Sequence, residues 1–286
     1  MLPDTVYDLT LTGRQGDREL TTHPVAVETP TGLLLIDTGL PGQTDDLVDA
    51  LAAAGADLGD VAGVVLTHQD PDHAGCLVAL RERAADARGT PPTVYAHVAD
   101  APYVDGRAKP IKSDGDRYPP AAVDVELVGG TVFRTDAGPM RVVETPGHTP
   151  GHVSLYLPDE KLLLAADALT VADGELAGPP AGFTPEMETA LDSVEGLAAL
   201  TFELVVCFHG GAVAASAAAV VPSTASDSAR SLVVATSSAV VAISSTVADS
   251  VATSSESSPV FSACVPARLS ISRACSEIRS TDADSC

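Results

Sequence analysis

Apolar residues recur along the first 211 positions in short runs, each closed by a polar residue or a turn. Leu33-Leu34-Leu35-Ile36 runs into Asp37-Thr38-Gly39. Val61-Ala62-Gly63-Val64-Val65-Leu66 runs into Thr67-His68-Gln69-Asp70-Pro71-Asp72-His73. Such runs, bounded by turn residues, predict buried strands. On this pattern 6–11, 25–28, 33–36, 61–66, 93–97, 123–128, 141–144, 153–157, 161–166 and 203–208 read as strands. Helical periodicity predicts helices over 45–54, 74–85 and 185–200, the first with Thr44 as its N-cap and Gly55 beyond its end. Residues 102–120 are polar, Pro-rich and irregular, a flap over a site.

Strands and helices alternate with several antiparallel-looking strands in each half, an order that fits two sheets covered by helices on their outer faces. No phosphate-binding loop is present: Thr12-Gly13-Arg14-Gln15-Gly16 lacks the strand–turn–helix setting such a site requires.

The pattern changes after Gly211. All 23 glycines and all seven histidines lie at or before it, whereas twenty of the serines follow it. The expected organisation is therefore a folded domain over 1–212 and a low-complexity tail over 213–286. A disordered Ser-rich extension is one reading of that tail. A reading-frame shift in a GC-rich gene is the other, favoured by the simultaneous loss of glycine, histidine and lysine. Residues 231–248 carry no charge, but their Ser and Thr content and the lack of a basic flank argue against a membrane span.

Sixteen basic and 39 acidic residues give a net charge of −23. That repels a nucleic-acid backbone and fits a solvated acidic surface of the halophilic kind. The N-terminus has no basic region followed by an apolar core. The five cysteines form no CxxC pair, which argues against a disulfide scaffold or zinc–thiolate site and for a reducing cytoplasm. The expected partner is a small-molecule substrate, with neither nucleic acid nor membrane.

The chemistry is carried by the strand ends. His68, Asp70, Asp72 and His73 crowd one loop. Val142-Val143 leads to Glu144-Thr145-Pro146-Gly147-His148, Leu162-Leu163-Leu164-Ala165-Ala166 leads to Asp167, and Leu204-Val205-Val206-Cys207-Phe208 leads to His209. Imidazole nitrogen and carboxylate oxygen are ligands for a borderline-to-hard divalent ion. If these ends share one rim, His68, Asp70, Asp72, His73, His148, Asp167 and His209 converge.

In this order the residues resemble the metallo-β-lactamase superfamily of metal-dependent hydrolases. Its pattern is an Asp after an early strand, then HxHxDH, then a distant His, Asp and His. The resemblance covers about 6–211 and implies an α/β fold, an αββα sandwich with metals at one edge. It implies that His68, His148 and the residue at position 70 hold one ion, that Asp72, His73 and His209 hold a second, and that Asp167 bridges them. Asp70 departs from the pattern, standing where the family commonly has histidine. A harder, anionic oxygen there admits Mn²⁺ or Fe²⁺ beside Zn²⁺.

The function implied is hydrolysis of a small ester, thioester or lactone by a metal-activated hydroxide, with Asp72 relaying the proton. Two divalent ions, Zn first, are the expected cofactors. An iron-dependent sulfur dioxygenase or related oxidase on the same scaffold is an alternative. So is an inactive, decayed family member, because His209 lies two residues before the change in composition. Asp37 is expected to support the loop rather than bind metal, and His152 to be structural. His23, His97, Cys76 and Cys207 read as packing or surface residues. Tyr103 and Tyr118 read as packing residues, with substrate contact as the alternative.

Overall fold

The computed structural model describes residues 1–15, 18–112, 118–222, 231–235 and 240–244, all within one unit, Met1–Thr246. Successive side chains of a strand point to opposite faces, and β5 (Gly32–Ile36) shows the consequence. Its Leu33 and Leu35 pack in a core shared with helices. Its Leu34 and Ile36 pack in a second core, between two sheets. A strand apolar on both faces is covered on both sides, which accounts for the unbroken run in the sequence.

The first sheet has the order β1 (Val6–Asp8), β4 (Val25–Thr29), β5, β6 (Val61–Leu66), β7 (Thr93–His97), β8 (Val125–Leu127). β5 to β8 run parallel. Parallel neighbours need crossovers, and α1 (Thr44–Ala53) and α3 (Leu77–Arg88) provide two of them. Leu47 and Leu51 of α1 and Leu77 and Leu80 of α3 are fully buried against this sheet. The parallel pairing was not evident in the pattern, which read as antiparallel.

The second sheet has the order β16 (Gly211–Ala214), β15 (Leu204–Cys207), β12 (Leu162–Ala166), β11 (Val153–Leu157), β10 (Gly138–Glu144), β9 (Val132–Thr135). Met140, Val142, Leu155, Leu162, Leu164 and Val206 face the first sheet. Leu163, Ala165, Val205 and Cys207 face away, onto Val194 and Leu197 of α5 (Met187–Leu197). Helices outside and two sheets inside make the αββα sandwich expected from the sequence.

Local differences have local causes. The helix expected over 74–85 is two helices, α2 (Pro71–Ala74) and α3. Pro71 at the first turn has a φ preset for helix and needs no N–H partner. Gly75 then lies so close to other chain segments that a Cβ would sit 2.3 Å from Pro41 N and Pro71 O. The strand expected over 6–11 stops at Asp8, and β2 (Leu11–Gln15) and β3 (Arg18–Thr22) form a separate hairpin. The 102–120 flap begins in a short helix, α4 (Ala101–Val104), and part of it lies outside the described residues. β13 (Thr170–Ala172) and β14 (Glu175–Ala177) form another hairpin.

Most of 213–286 lies outside the described residues, so the expectations of disorder or a shifted frame bear mainly there. The described parts include the end of β16 and a three-stranded sheet, β17 (Val220–Pro222), β18 (Ser231–Ala235) and β19 (Val240–Ser244). Val220 is buried in the core that contains α5. Among the described residues no helix is long and apolar enough to cross a membrane.

Candidate metal centre

Asp37, the loop after β6, the loop before β11, Asp167 and His209 lie just beyond the C-terminal ends of β5, β6, β10, β12 and β15. Their side chains meet at one rim of the sandwich. Asp70 Oδ2 lies 3.1 Å from His148 Nε2 and 3.5 Å from His68 Nε2. Asp72 Oδ2 lies 3.3 Å from His209 Nε2 and 3.9 Å from His73 Nε2. Asp167 stands between these groups. Its Oδ2 is 3.3 Å from His148 Nε2 and 3.5 Å from His209 Nε2, and its Oδ1 is 3.4 Å from His73 Nε2. Among the described residues three triads have donor atoms all within 4.8 Å of one another: His68, Asp70 and His148; His68, His73 and Asp167; Asp72, His73 and His209.

Buried polar atoms are rarely left unpaired, because desolvation without a partner costs about 1–3 kcal/mol. Here His68 Nε2, His73 Nε2 and Asp167 Oδ1 are buried and lack hydrogen-bond partners among the described residues. All three point into the cluster. Their lone pairs are what a divalent cation requires, so the residues fit a metal centre.

The surrounding hydrogen bonds fix these lone pairs. Asp37 Oδ1 accepts the Thr67 N–H at 2.8 Å, and its Oδ2 accepts the Thr67 hydroxyl at 2.8 Å. Asp37 Oδ2 also lies 2.9 Å from His73 Nδ1. With the Thr67 hydroxyl spent on Asp37, its oxygen is the acceptor for His68 Nδ1 at 3.1 Å. With Nδ1 as the donor to these oxygens, His68 and His73 turn Nε2 inward, toward where an ion would sit. Asp37 takes φ 63° to reach them, a conformation Asp tolerates better than most residues.

His152 works on the other side. The Asp167 N–H donates to His152 Nε2 at 3.1 Å, so the ring proton sits on Nδ1, 2.8 Å from Thr145 Oγ1. Burial, with the His68 and His148 imidazoles beside it, holds His152 well below the usual histidine value, in the neutral form this arrangement needs. His97 pairs with Glu144 and His23 with Asp8. Tyr118 is buried, its hydroxyl donating to the Gln69 carbonyl. Cys76 donates its thiol hydrogen to the Leu40 carbonyl.

His209 is held through its backbone. Val171 N–H donates to the His209 carbonyl and His23 N–H to that of Phe208, both at 3.0 Å. β16 pairs with β15 immediately beyond.

The carboxylates and imidazoles of the cluster shift one another. Burial raises the Asp70 carboxyl, but His68, His148 and Lys112 outweigh it and hold it well below the carboxylate range. Asp72 is likewise lowered, by His73 and His209 against its burial. Burial lowers His209, but Asp167 and Asp72 prevail and push it up to about 9.

Two residues of the site gave no signal in the sequence. Asp100, 1% exposed, accepts from Gln69 N (3.0 Å), Gln69 Nε2 (3.2 Å), Thr149 Oγ1 (2.7 Å) and Gly151 N (2.8 Å). It joins the His68–His73 loop to the His148 loop. Lys112 donates to Asp70 Oδ2 at 2.7 Å. Neither sits at a strand end or in a ligand-type motif.

Comparison with known proteins identifies the family. The model of the "Metallo-beta-lactamase superfamily" matches residues 18–209, a span that includes every residue of the cluster. The "Probable metallo-hydrolase YflN" of Bacillus subtilis (strain 168) is 30% identical over 207 residues, 63% of this chain and 76% of that protein. A "Hydroxyacylglutathione hydrolase" of Cereibacter sphaeroides (strain ATCC 17029 / ATH 2.4.9) is 31% identical over 145 residues, 50% of this chain but 46% of that enzyme. The fold matches a metallo-beta-lactamase family protein from Thermus thermophilus with a TM-score of 0.57, at 24% identity over 75% of this chain and 76% of that one. With sequence, sandwich and clustered donors in agreement, the chain belongs to the metallo-β-lactamase superfamily.

Proposed function

We infer that the chain is a dinuclear metal-dependent hydrolase of a small ester, thioester or lactone. The observation that carries this reading is Asp167 between two donor groups, its Oδ2 within 3.5 Å of both His148 and His209. In this reading His68, Asp70 and His148 hold one ion, Asp72, His73 and His209 hold the other, and Asp167 serves both. Divalent ions bound there supply a Lewis acid for the substrate carbonyl and a water of lowered pKa.

The protein's own part is positioning and proton transfer. Asp72 comes from the loop and α2, with its side chain 18% exposed. His73 and His209 hold it below the ordinary carboxylate value, and in this reading it takes a proton from the attacking water. It then returns that proton to the leaving alcohol or thiol, so that acid and alcohol (or thiol) are the products. Asp37, Thr67 and His152 hold His68, His73 and Asp167 in register for this. Ile111 and Phe183 are large apolar side chains left exposed. Ile111 adjoins Lys112, and Phe183 adjoins Thr184, whose Oγ1 is 3.5 Å from His148 Nδ1. They favour a substrate with an apolar acyl portion. The hydroxyacylglutathione hydrolase likeness favours a thioester.

The test is metal content together with turnover on a panel of thioesters, lactones and phosphodiesters. Two ions per chain, acyl hydrolysis and loss of both in His68→Ala are expected. Undiminished hydrolysis by His68→Ala refutes the site. Asp70, a hard oxygen donor, favours a second reading, an iron-dependent oxidase. Iron in the purified protein with oxygen uptake on a persulfide substrate would establish it in place of the first. Absence of turnover on every substrate by the metal-loaded chain points instead to a decayed family member.

A further inference from the structure

We propose that Lys112 is a resident cation of the first donor set, so that the chain binds its two ions unequally: tightly at Asp72, His73 and His209, weakly at His68, Asp70 and His148. This rests on the reading of these sets as metal sites. The carboxylate oxygen that the first set offers is Asp70 Oδ2, which faces His68 Nε2 and His148 Nε2. The same oxygen already accepts a hydrogen bond from Lys112 Nζ at 2.7 Å. An incoming ion shares that oxygen with an ammonium group or displaces it.

The second set is different. Among the described residues, every ion pair of Asp72 and Asp167 is with a histidine. An imidazole becomes a ligand when an ion arrives. An ammonium has no lone pair to offer and remains a positive charge beside the dication.

Lys112 is held in place by structure on both flanks. The Ile111 N–H donates to Gln69 Oε1 at 2.9 Å, and the Tyr118 hydroxyl donates to the Gln69 carbonyl at 2.8 Å. Gln69 is itself fixed on buried Asp100. Both contacts are with the residue that precedes Asp70, so the lysine is anchored to the loop whose carboxylate it meets. Its side chain is 17% exposed, which limits screening by solvent and salt. Asp70 and Lys112 together are neutral. Asp70 therefore brings the first set no net negative charge.

The experiment strips the full chain with a chelator and titrates it with Co²⁺, following visible absorption and calorimetry, with metal content measured after dialysis. Wild type should take one tight equivalent and a second at least about tenfold weaker, as expected for a dication entering beside a fixed positive charge. Lys112→Met keeps the stem and removes the charge, and should tighten the second equivalent about tenfold or more. Lys112→Arg should restore the gap. Lys112→Gln serves if the methionine variant does not fold. Two equal equivalents in wild type, or an unchanged second equivalent in the uncharged variants, would overturn this proposal and leave the dinuclear reading intact. No Co²⁺ uptake by any form would overturn both.

Discussion

Thr149 and Asp100 lock the two halves of the metal centre together. The Thr149 hydroxyl donates to Asp100 Oδ2 at 2.7 Å, and the same oxygen accepts the Gln69 N–H at 3.0 Å. Gln69 lies between His68 and Asp70, and Thr149 follows His148. One buried carboxylate, three residues past the end of β7, thus spaces ligands that are about eighty positions apart in the chain.

Asp100→Ala should therefore weaken both fold and site. It strands the Gln69 N–H, the Gln69 amide, the Thr149 hydroxyl and the Gly151 N–H in a buried place. At about 1–3 kcal/mol per unsatisfied group, reduced by relaxation and entering water, a loss of about 3 kcal/mol is expected. Urea unfolding of the metal-free variant measures it, and a loss below about 1 kcal/mol would contradict the role. Metal affinity should fall too, since His148 is no longer held opposite Asp70.

Asp37→Ala separates orientation from ligation. Asp37 lies 2.9 Å from His73 Nδ1 and supports Thr67, which in turn supports His68. Loss of such a supporting carboxylate weakens metal affinity about 10–100-fold. Metal titration checks the expectation, with an unchanged stoichiometry. Affinity equal to wild type would mean that packing alone orients His73, which lies 3.6 Å, centroid to centroid, from the Phe208 ring.

These supporting residues mark the boundary of what could be read from the chain. The sheets were legible because β5, β6, β12 and β15 are apolar on both faces, and Asp37, His68, Asp167 and His209 were legible because each follows such a strand. His68, Asp70, Asp72 and His73 also share one loop, so local sequence places them. Asp100 follows a strand by three residues and meets partners 31, 49 and 51 positions away. No period or spacing encodes that. Lys112 lies in a polar stretch whose composition fits any surface loop. Parallel pairing of β5 to β8 was missed because direction depends on crossovers, which leave no mark on alternation within a strand.

Gly147 is a further position where the fold requires one residue. It takes φ 130°, and a Cβ would sit 2.4 Å from Ala190 N and 2.5 Å from Ala190 Cα, on α5. Both are backbone atoms, so no flexible side-chain end lies there to move aside. Gly147→Ala should cost about 1–3 kcal/mol from strain and overpacking. Because Gly147 precedes His148, the variant should also lose affinity for the ion at the first donor set more than at the second. Thermal unfolding and metal titration test the two parts, and an alanine variant as stable as wild type would show that α5 can retreat.

The metal-free and metal-loaded proteins should respond to pH differently. In the metal-free chain His209 is pushed up to about 9 from an ordinary 6.5, by Asp167 and Asp72 against burial. His73 is raised in the same direction, burial notwithstanding, by Asp37, Asp167 and Asp72. A raised folded pKa means that the folded state holds its proton more tightly than the unfolded state. The resulting stabilisation is complete below about pH 6.5 and is lost as pH rises through about 9. Asp72 and Asp167, being lowered, contribute stability that is constant over that window and disappears only in acid. The melting temperature of the chelated protein should therefore fall between pH 6.5 and 9. An ion at the second set takes the place of these protons, so the loaded protein should show a flatter profile and release protons on binding at pH 7.5. Calorimetric binding in buffers of different ionisation enthalpy counts the protons. His209→Gln should reduce both the release and the slope of the chelated profile. A chelated wild-type protein that gains stability from pH 6.5 to 9 would show that the carboxylates do not hold His209 charged.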